Sequence, residues 1–285
     1  MAAADRISVR KTYKLWIGGA FVRSESGRSD VAGDFNIPRA SRKDVREAVA
    51  AARRSAAPWA ARTAYSRGQI LYRAAEALES RRGQLIAVLE AAAAGSAAGA
   101  AAELDAAVDV LVHYAGWTDK LQPVLGGINP VAAPFLSFSL PEPTGVVGVI
   151  APDQPSLLGL VAELAPALAA GNAVVAVLSE WAPHTGLDLA EVLGVSDIPG
   201  GVVNLLSGRR SELAPALGGH RDLNAIVDAS GDAALGAELD KLAAETIKRA
   251  SHHRAATSYD DAVDDALERL AAVTELKTVW HPVGA

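Results

Sequence analysis

With 285 residues, 50% of them hydrophobic, and a mean hydropathy of +0.17, the chain has ample apolar surface for a core and a length that suggests about two domains. Its net charge of −6 comes with Lys and Arg scattered along the chain, which argues against a nucleic-acid footprint or a polybasic membrane patch, and no stretch nears the ~18 apolar residues of a spanning helix. Cysteine is absent, which removes disulfides and thiolate metal sites, and residues 1–6 lack the pattern of a secretory signal, so a cytoplasmic protein is expected, with neither nucleic acid nor membrane as partner.

Across residues 41–61, Val45, Ala48, Val49 and Ala52 recur at spacings of three and four, with Ser41 placed to cap and Asp44 in the first turn, which predicts an amphipathic helix. Alanine-rich stretches predict two more, over 65–94 and 97–120, separated near Gly95, Ser96 and Gly99. Leu71, Leu78, Leu85, Val88 and Leu89 give these a core-facing stripe, which favours packed helices over low-complexity sequence. The texture then changes. Leu136, Phe138 and Leu140 alternate with Phe135, Ser137 and Ser139, which predicts a two-stranded element following Gly126 and Gly127, with 141–145 as its connection.

From Val146 onward, short apolar runs at 146–151, 173–178, 202–206 and 225–227 alternate with helical patterns at 156–170, 184–193, 211–217 and 232–248. Such runs suit strands buried on both faces, and the rhythm predicts an α/β fold with a doubly wound, Rossmann-like parallel sheet and right-handed crossovers. An acidic amphipathic helix is expected over 260–271 and a terminal strand over 275–282. The six histidines offer little chemistry: His252 and His253 adjoin on a stretch expected to be exposed, and His113, His184, His220 and His281 stand alone, as surface or capping residues. Ser96 and Ser230 lie near glycines without an identifiable histidine partner, so a serine hydrolase is not supported. Trp117 and Trp280 are expected as packing anchors.

Several segments together resemble the aldehyde dehydrogenases. Residues 142–152, Glu-Pro-Thr-Gly-Val-Val-Gly-Val-Ile-Ala-Pro, are similar to the strand leading into that family's oxyanion loop, and residues 164–172, Leu-Ala-Pro-Ala-Leu-Ala-Ala-Gly-Asn, to the helix that follows. Residues 16–19 and 113–120 are similar to N-terminal family signatures. The resemblance implies five parts: an N-terminal helical part of the nucleotide-binding-type domain (1–125), an oligomerisation hairpin (126–145), a βαβ core (146–250), a residual linker and helix in place of the catalytic domain (251–274), and a C-terminal oligomerisation strand (275–285). In the family, that last strand joins the early hairpin and adds to a sheet of a neighbouring subunit, which here implicates Phe138, Leu140, Leu276, Val279 and Trp280 in assembly.

The family's functional residues carry over only in part. Gln154 stands at the position of the oxyanion-loop asparagine, after Pro152 and beside Asp153. The Lys-Pro-Ser-Glu motif that grips the adenine ribose becomes Val177-Leu178-Ser179-Glu180, so that Glu180 is a cofactor contact or merely a solvated residue opening the next helix. The glycine-rich phosphate turn is placed either by gap-free reading at 227–232 or, two residues along, on Gly231 and Gly236; Ser230 belongs to the same turn, and Asp228 and Asp232 crowd it with like charge. Lys248-Arg249 is not followed by the Glu-Leu-Gly-Gly that carries the general base, and the nucleophilic cysteine is missing. The expectation is therefore no catalytic residue, with a vestigial oxyanion position at Gln154, vestigial cofactor positions at Pro152, Glu180, Ser230 and Gly231, no metal, and NAD(P) absent or weakly held. A catalytically silent subunit is expected, a structural or regulatory partner of itself or of a full-length aldehyde dehydrogenase. Two rival functions remain: an oxidoreductase that borrows its nucleophile from a partner chain, and a sensor of adenine nucleotides.

Overall fold

The computed structural model describes residues 9–93 and 96–283. The expected break at Gly95, the end of the helix predicted to reach Ala94, residues 1–6 and the last two residues of the terminal segment lie outside these. At its centre is a seven-stranded sheet in the spatial order Arg249–His252, Ala225–Asp228, Val146–Ile150, Ala173–Val177, Val203–Leu206, Leu15–Ile17 and Ala20–Val22. The first five are parallel and the last two antiparallel.

Period-two alternation decides what each face meets. Val147, Val149, Val174 and Ala176 share one core with the Leu158–Ala169 and Pro183–Leu193 helices, whereas Val146, Ile150, Val175 and Val177 share another with the Arg42–Ala60 and Arg210–Gly218 helices. Because both faces are covered, these strands read as continuous apolar runs. Over the Leu158–Ala169 and Pro183–Leu193 helices lies a further layer made by the Ala64–Ser80, Arg82–Ala93 and Ala97–Trp117 helices. The helix expected over 65–94 is thus two helices. Their apolar stripe is interrupted by Glu79 to Gly83, and at the break Arg81 donates to Glu191 Oε2 at 3.0 Å. Among the described residues no helix is long and apolar enough to cross a membrane.

The N-terminal part is not purely helical. Two of its strands extend the central sheet through a turn in which Gly18 and Gly19 have φ of 66° and 84°, and a Cβ on Gly19 would lie 2.5 Å from Gly200 Cα. Asn204 fastens this hairpin: its Oδ1 accepts from Gly18 N at 2.9 Å and its Nδ2 donates to Gly201 O at 2.7 Å. Strands of two to four residues (Lys11–Thr12, Ser29–Ala32, Phe35–Pro38) form a separate small sheet nearby. Such short strands carry no measurable periodicity, which is why sequence alone passes over them.

A third sheet joins Gly127–Asn129, Phe135–Pro143 and Thr274–Pro282, with Phe135–Pro143 in the middle. The long strand includes Pro141 and Pro143, which the sequence assigns to a connection. Beyond Ser139 only the terminal strand pairs with it, so a missing proline N–H leaves no ladder bond unmade on the open side. Asn172, fully buried, ties this sheet to the core: its Oδ1 accepts from Gly145 N at 2.8 Å, and its Nδ2 donates to Ala167 O at 3.1 Å and to Val273 O at 2.9 Å.

The segment expected as linker, 251–274, opens inside a strand, Arg249–His252, which pairs in parallel with Ala225–Asp228. Its acidic helix is two short ones, Tyr259–Val263 and Ala266–Ala272, parted where Asp264 and Asp265 meet. They dock on the Ala97–Trp117 and Leu158–Ala169 helices. Tyr114 donates its hydroxyl to Ala262 O at 3.1 Å, and buried Glu163 takes one bond from Arg269 and faces His253 Nδ1 at 2.7 Å. His253 is therefore not exposed, its side chain keeping 14% accessibility.

Removing one partner of a buried pair strands the other charge, so Glu163→Ala is expected to cost about 3–5 kcal/mol in urea unfolding. Glu275→Ala, which breaks the exposed Arg249–Glu275 pair, is expected to cost no more than about 1 kcal/mol. Equal losses in the two variants would contradict the assigned role of Glu163.

Candidate functional site: the carboxyl edge of the parallel sheet

Open α/β sheets take their ligands outside the carboxyl ends of the strands, where the strand order reverses. Here the reversal falls at Val146–Ile150, with Ala173–Val177 on one side and Ala225–Asp228 on the other. The loops that follow these strands and Val203–Leu206 lead into helices whose first N–H groups lack intrahelical partners and form natural anion sites.

Each of three such helix starts already holds a carboxylate of this chain. Glu103 accepts from Leu157 N at 2.8 Å and from Leu158 N at 3.3 Å; burial pushes its pKa up, against these two bonds. Glu180 accepts from the backbone N of Arg210, the first residue of the Arg210–Gly218 helix. Asp232 caps the Ala233–Thr246 helix, accepting from Ala234 N at 2.9 Å and Leu235 N at 3.2 Å. The fourth helix starts at Pro183, which has no N–H to offer.

Between the first and third loops lies an ion pair that the sequence does not announce. Arg210 donates from Nη2 to Asp153 Oδ1 at 2.9 Å and from Nη1 to Asp153 Oδ2 at 3.2 Å, and Nη2 also donates to Ala151 O at 3.0 Å. Asp153 Oδ1 accepts in addition from Glu180 N at 2.8 Å, and Ser179 Oγ donates to Asp153 O at 2.9 Å. Partial burial opposes ionisation of Asp153, but the Arg210 guanidinium and the backbone donors outweigh it and hold the carboxyl below its ordinary range. The available signal was Arg210 itself, a cation at a helix N-terminus, where the dipole disfavours one.

The residues expected at the site divide between the two sides of the reversal. Pro152 is buried against the helix at Gly159, where a Cβ would come within 2.4 Å of its ring. Gln154 is exposed and makes no side-chain hydrogen bond among the described residues. Glu180 is exposed and engaged with Arg210, and Val177, which stands where the resemblance places a lysine, is fully buried in the sheet. Across the reversal, Ser230 N donates to Asp228 Oδ1 at 2.9 Å, Ser230 Oγ accepts from Asp232 N at 3.2 Å, and Gly231 adopts φ of 73°, a conformation that favours glycine. Asp228, buried, directs its other oxygen towards His252 Nδ1 at 3.6 Å, while His252 Nε2 lies 2.9 Å from Asp240 Oδ1. The bond to Asp240, acting against partial desolvation, raises the pKa of His252.

The remaining histidines and tryptophans depart from expectation in two places. His184 is buried against the ring of Phe35, at 5.0 Å between centroids, and burial lowers its pKa; it is not a surface or capping residue. Trp280 is 58% exposed, its ring set T-shaped to that of Phe135 at 6.0 Å between centroids, so it does not anchor a core in this chain. Trp117 is half-buried and donates to His113 Nε2 at 2.9 Å. Among the described residues no three His, Asp or Glu side chains gather as metal ligands.

On the three-stranded sheet, Phe138 faces Ile128 and Val279, and Leu140 faces Lys277; Leu276 and Trp280 lie on the opposite face with Phe135. The five candidate assembly residues therefore do not form one surface. The outer edge of the terminal strand is unpaired among the described residues.

Comparison with known proteins matches this architecture. The chain is 34% identical over 239 residues to "Aldehyde dehydrogenase, cytosolic 1" of Macroscelides proboscideus, covering 79% of this chain and 46% of that protein. It is 33% identical over 237 residues to the "Cytosolic 10-formyltetrahydrofolate dehydrogenase" of Homo sapiens, covering 79% of this chain and 26% of that one. The solved NAD+ complex of an aldehyde dehydrogenase from Bacillus cereus superposes with a TM-score of 0.81 at 27% identity, over 86% of this chain and 51% of that chain. The chain thus spans about half or less of the length of the relatives it matches. The sequence model of the aldehyde dehydrogenase family matches residues 30–269, and the chain belongs to that family, with its Rossmann-like α/β fold.

Proposed function

We propose that this chain is a non-catalytic member of its family, a structural or regulatory subunit that assembles with itself or with a full-length aldehyde dehydrogenase in the cytoplasm. The observation that carries this reading is a contrast between two parts of the molecule. At the carboxyl edge, the helix starts are filled by Glu103, Glu180 and Asp232, and Val177 replaces a cation. These residues do not fit a dinucleotide, whose pyrophosphate would meet carboxylates on the N–H groups it needs, so NAD(P) is held weakly or not at all. The three-stranded sheet, by contrast, is fully formed, with nine cross-strand partners along its terminal strand and one edge open for another chain. The nucleophile of the family's chemistry is a thiolate, and this chain has no cysteine.

Two outcomes follow. The purified chain alone is expected to show no reduction of NAD(P) with a panel of aldehydes, and calorimetric titration with NAD is expected to give no low-micromolar affinity; finding either would sink the silent-subunit reading. Deletion of residues 276–285, or Val279→Pro, which removes a backbone donor from the terminal strand, is expected to weaken self-association or association with a full-length aldehyde dehydrogenase by at least about tenfold. Wild-type assembly of both variants in sedimentation or mass photometry would show that the strand does not carry it.

A further inference from the structure

His184 is buried, and neither of its ring nitrogens has a hydrogen-bond partner among the described residues. Its ring packs at 5.0 Å from that of Phe35 and 6.4 Å from that of Tyr13. One turn further along the Pro183–Leu193 helix stands Asp188, whose side chain is wholly buried. Both of its oxygens are taken: Lys11 Nζ donates to Oδ1 at 2.8 Å and Tyr13 Oη to Oδ2 at 2.8 Å, with Lys11 Nζ 4.2 Å from the centre of the Tyr13 ring. These contacts fasten to the helix a strand of only two residues, Lys11–Thr12, which pairs with Phe35 and Asn36.

The other charges around the cluster come from neighbouring elements. Glu191, on the same helix, faces Lys11 at 3.4 Å and accepts from Arg81, at the end of the Ala64–Ser80 helix, at 3.0 Å. The Arg82–Ala93 helix approaches His184 with the backbone of Val88 without completing a hydrogen bond, and its Arg82 is held by Glu79 and Asp105. Strands Leu15–Ile17, Phe35–Pro38 and Val203–Leu206, which also pack on the Pro183–Leu193 helix, carry no titratable side chain. A neutral imidazole tolerates such a place, whereas an imidazolium there needs an anion, and the one a turn away is already bonded twice. We propose that His184 is an acid-sensitive latch: on gaining a proton it competes with Lys11 and Tyr13 for Asp188, and the Lys11–Thr12 strand loosens from the helix. Burial lowers the pKa of His184, against the pull of Asp188 and with the help of Lys11. A histidine that binds its proton less readily in the closed state than in the open one favours closure above its ordinary pKa of about 6.5, and opening as the pH falls below it.

Hydrogen–deuterium exchange of the full chain tests this, read as protection factors so that the pH dependence of intrinsic exchange is removed. Between pH 7.5 and pH 5.0 the amides of residues 11–13 are expected to lose protection by at least about tenfold, and those of Val146–Ile150 by clearly less. His184→Phe keeps a ring in place and removes the proton, so its protection at residues 11–13 is expected to stay within about twofold over the same range. The variant retains His113 and His220, whose pKa values burial also lowers, so acid loosening of residues 11–13 that survives in it has another origin and overturns the latch. Flat protection in the unaltered chain, or an equal loss along Val146–Ile150, overturns it too. Should His184→Phe fail to fold, His184→Gln decides by the same comparison.

Discussion

A parallel sheet covered on both faces gathers the starts of its crossover helices along one edge, and the free N–H groups there have to be met by something. That requirement comes from the backbone and holds whatever the side chains are. In a nucleotide-binding protein the ligand meets part of it. Here Glu103, Glu180 and Asp232 meet part of it from within, and Asp153 meets Arg210 at that edge. Part of the hydrogen bonding at this edge is thereby completed by side chains of the chain itself.

The same logic of internal satisfaction governs the segment 253–273. It covers the Ala97–Trp117 and Leu158–Ala169 helices with mostly small side chains, Ala256, Ala262 and Ala266, beside the larger Leu270 and Val273, all buried. Small residues supply little apolar area to hold a short segment in place. Specific polar contacts set where it sits, through the Tyr114 hydroxyl and through Glu163 shared by Arg269 and His253. A buried carboxylate with two cationic or protonatable partners fixes orientation more than it adds stability, because its own desolvation offsets much of the attraction.

The centre of the fold was legible because burial on both faces leaves an unbroken apolar run, which Val146–Ile150 and Ala173–Val177 each provide. Caps were legible too: Ser41 does accept from Lys43 N and Asp44 N, as its position before an apolar periodic segment implies. What escaped lacks such a local signal. Arg249–His252 is an edge strand of mostly exposed residues and carries no apolar run to mark it. Arg210 and Asp153 are 57 residues apart, and nothing in either neighbourhood names the other. The charges at Asp228 and Asp232 were visible, but not that Asp232 would be consumed in capping a helix and Asp228 turned towards Ser230 and His252. Sequence patterns report burial well and pairing poorly, because burial is a property of a segment whereas pairing is a property of the topology.

Asn172 has a mechanical consequence. One end of its amide grips the residue before the first core strand and the other grips Val273, immediately before the terminal strand. A side chain that is fully buried and bonded at both ends is a rigid strut. A shift of the terminal strand would therefore be passed to Gly145, at the head of the strand in the middle of the sheet, through this amide as well as through Thr144, whose N–H also bonds to Val273 O.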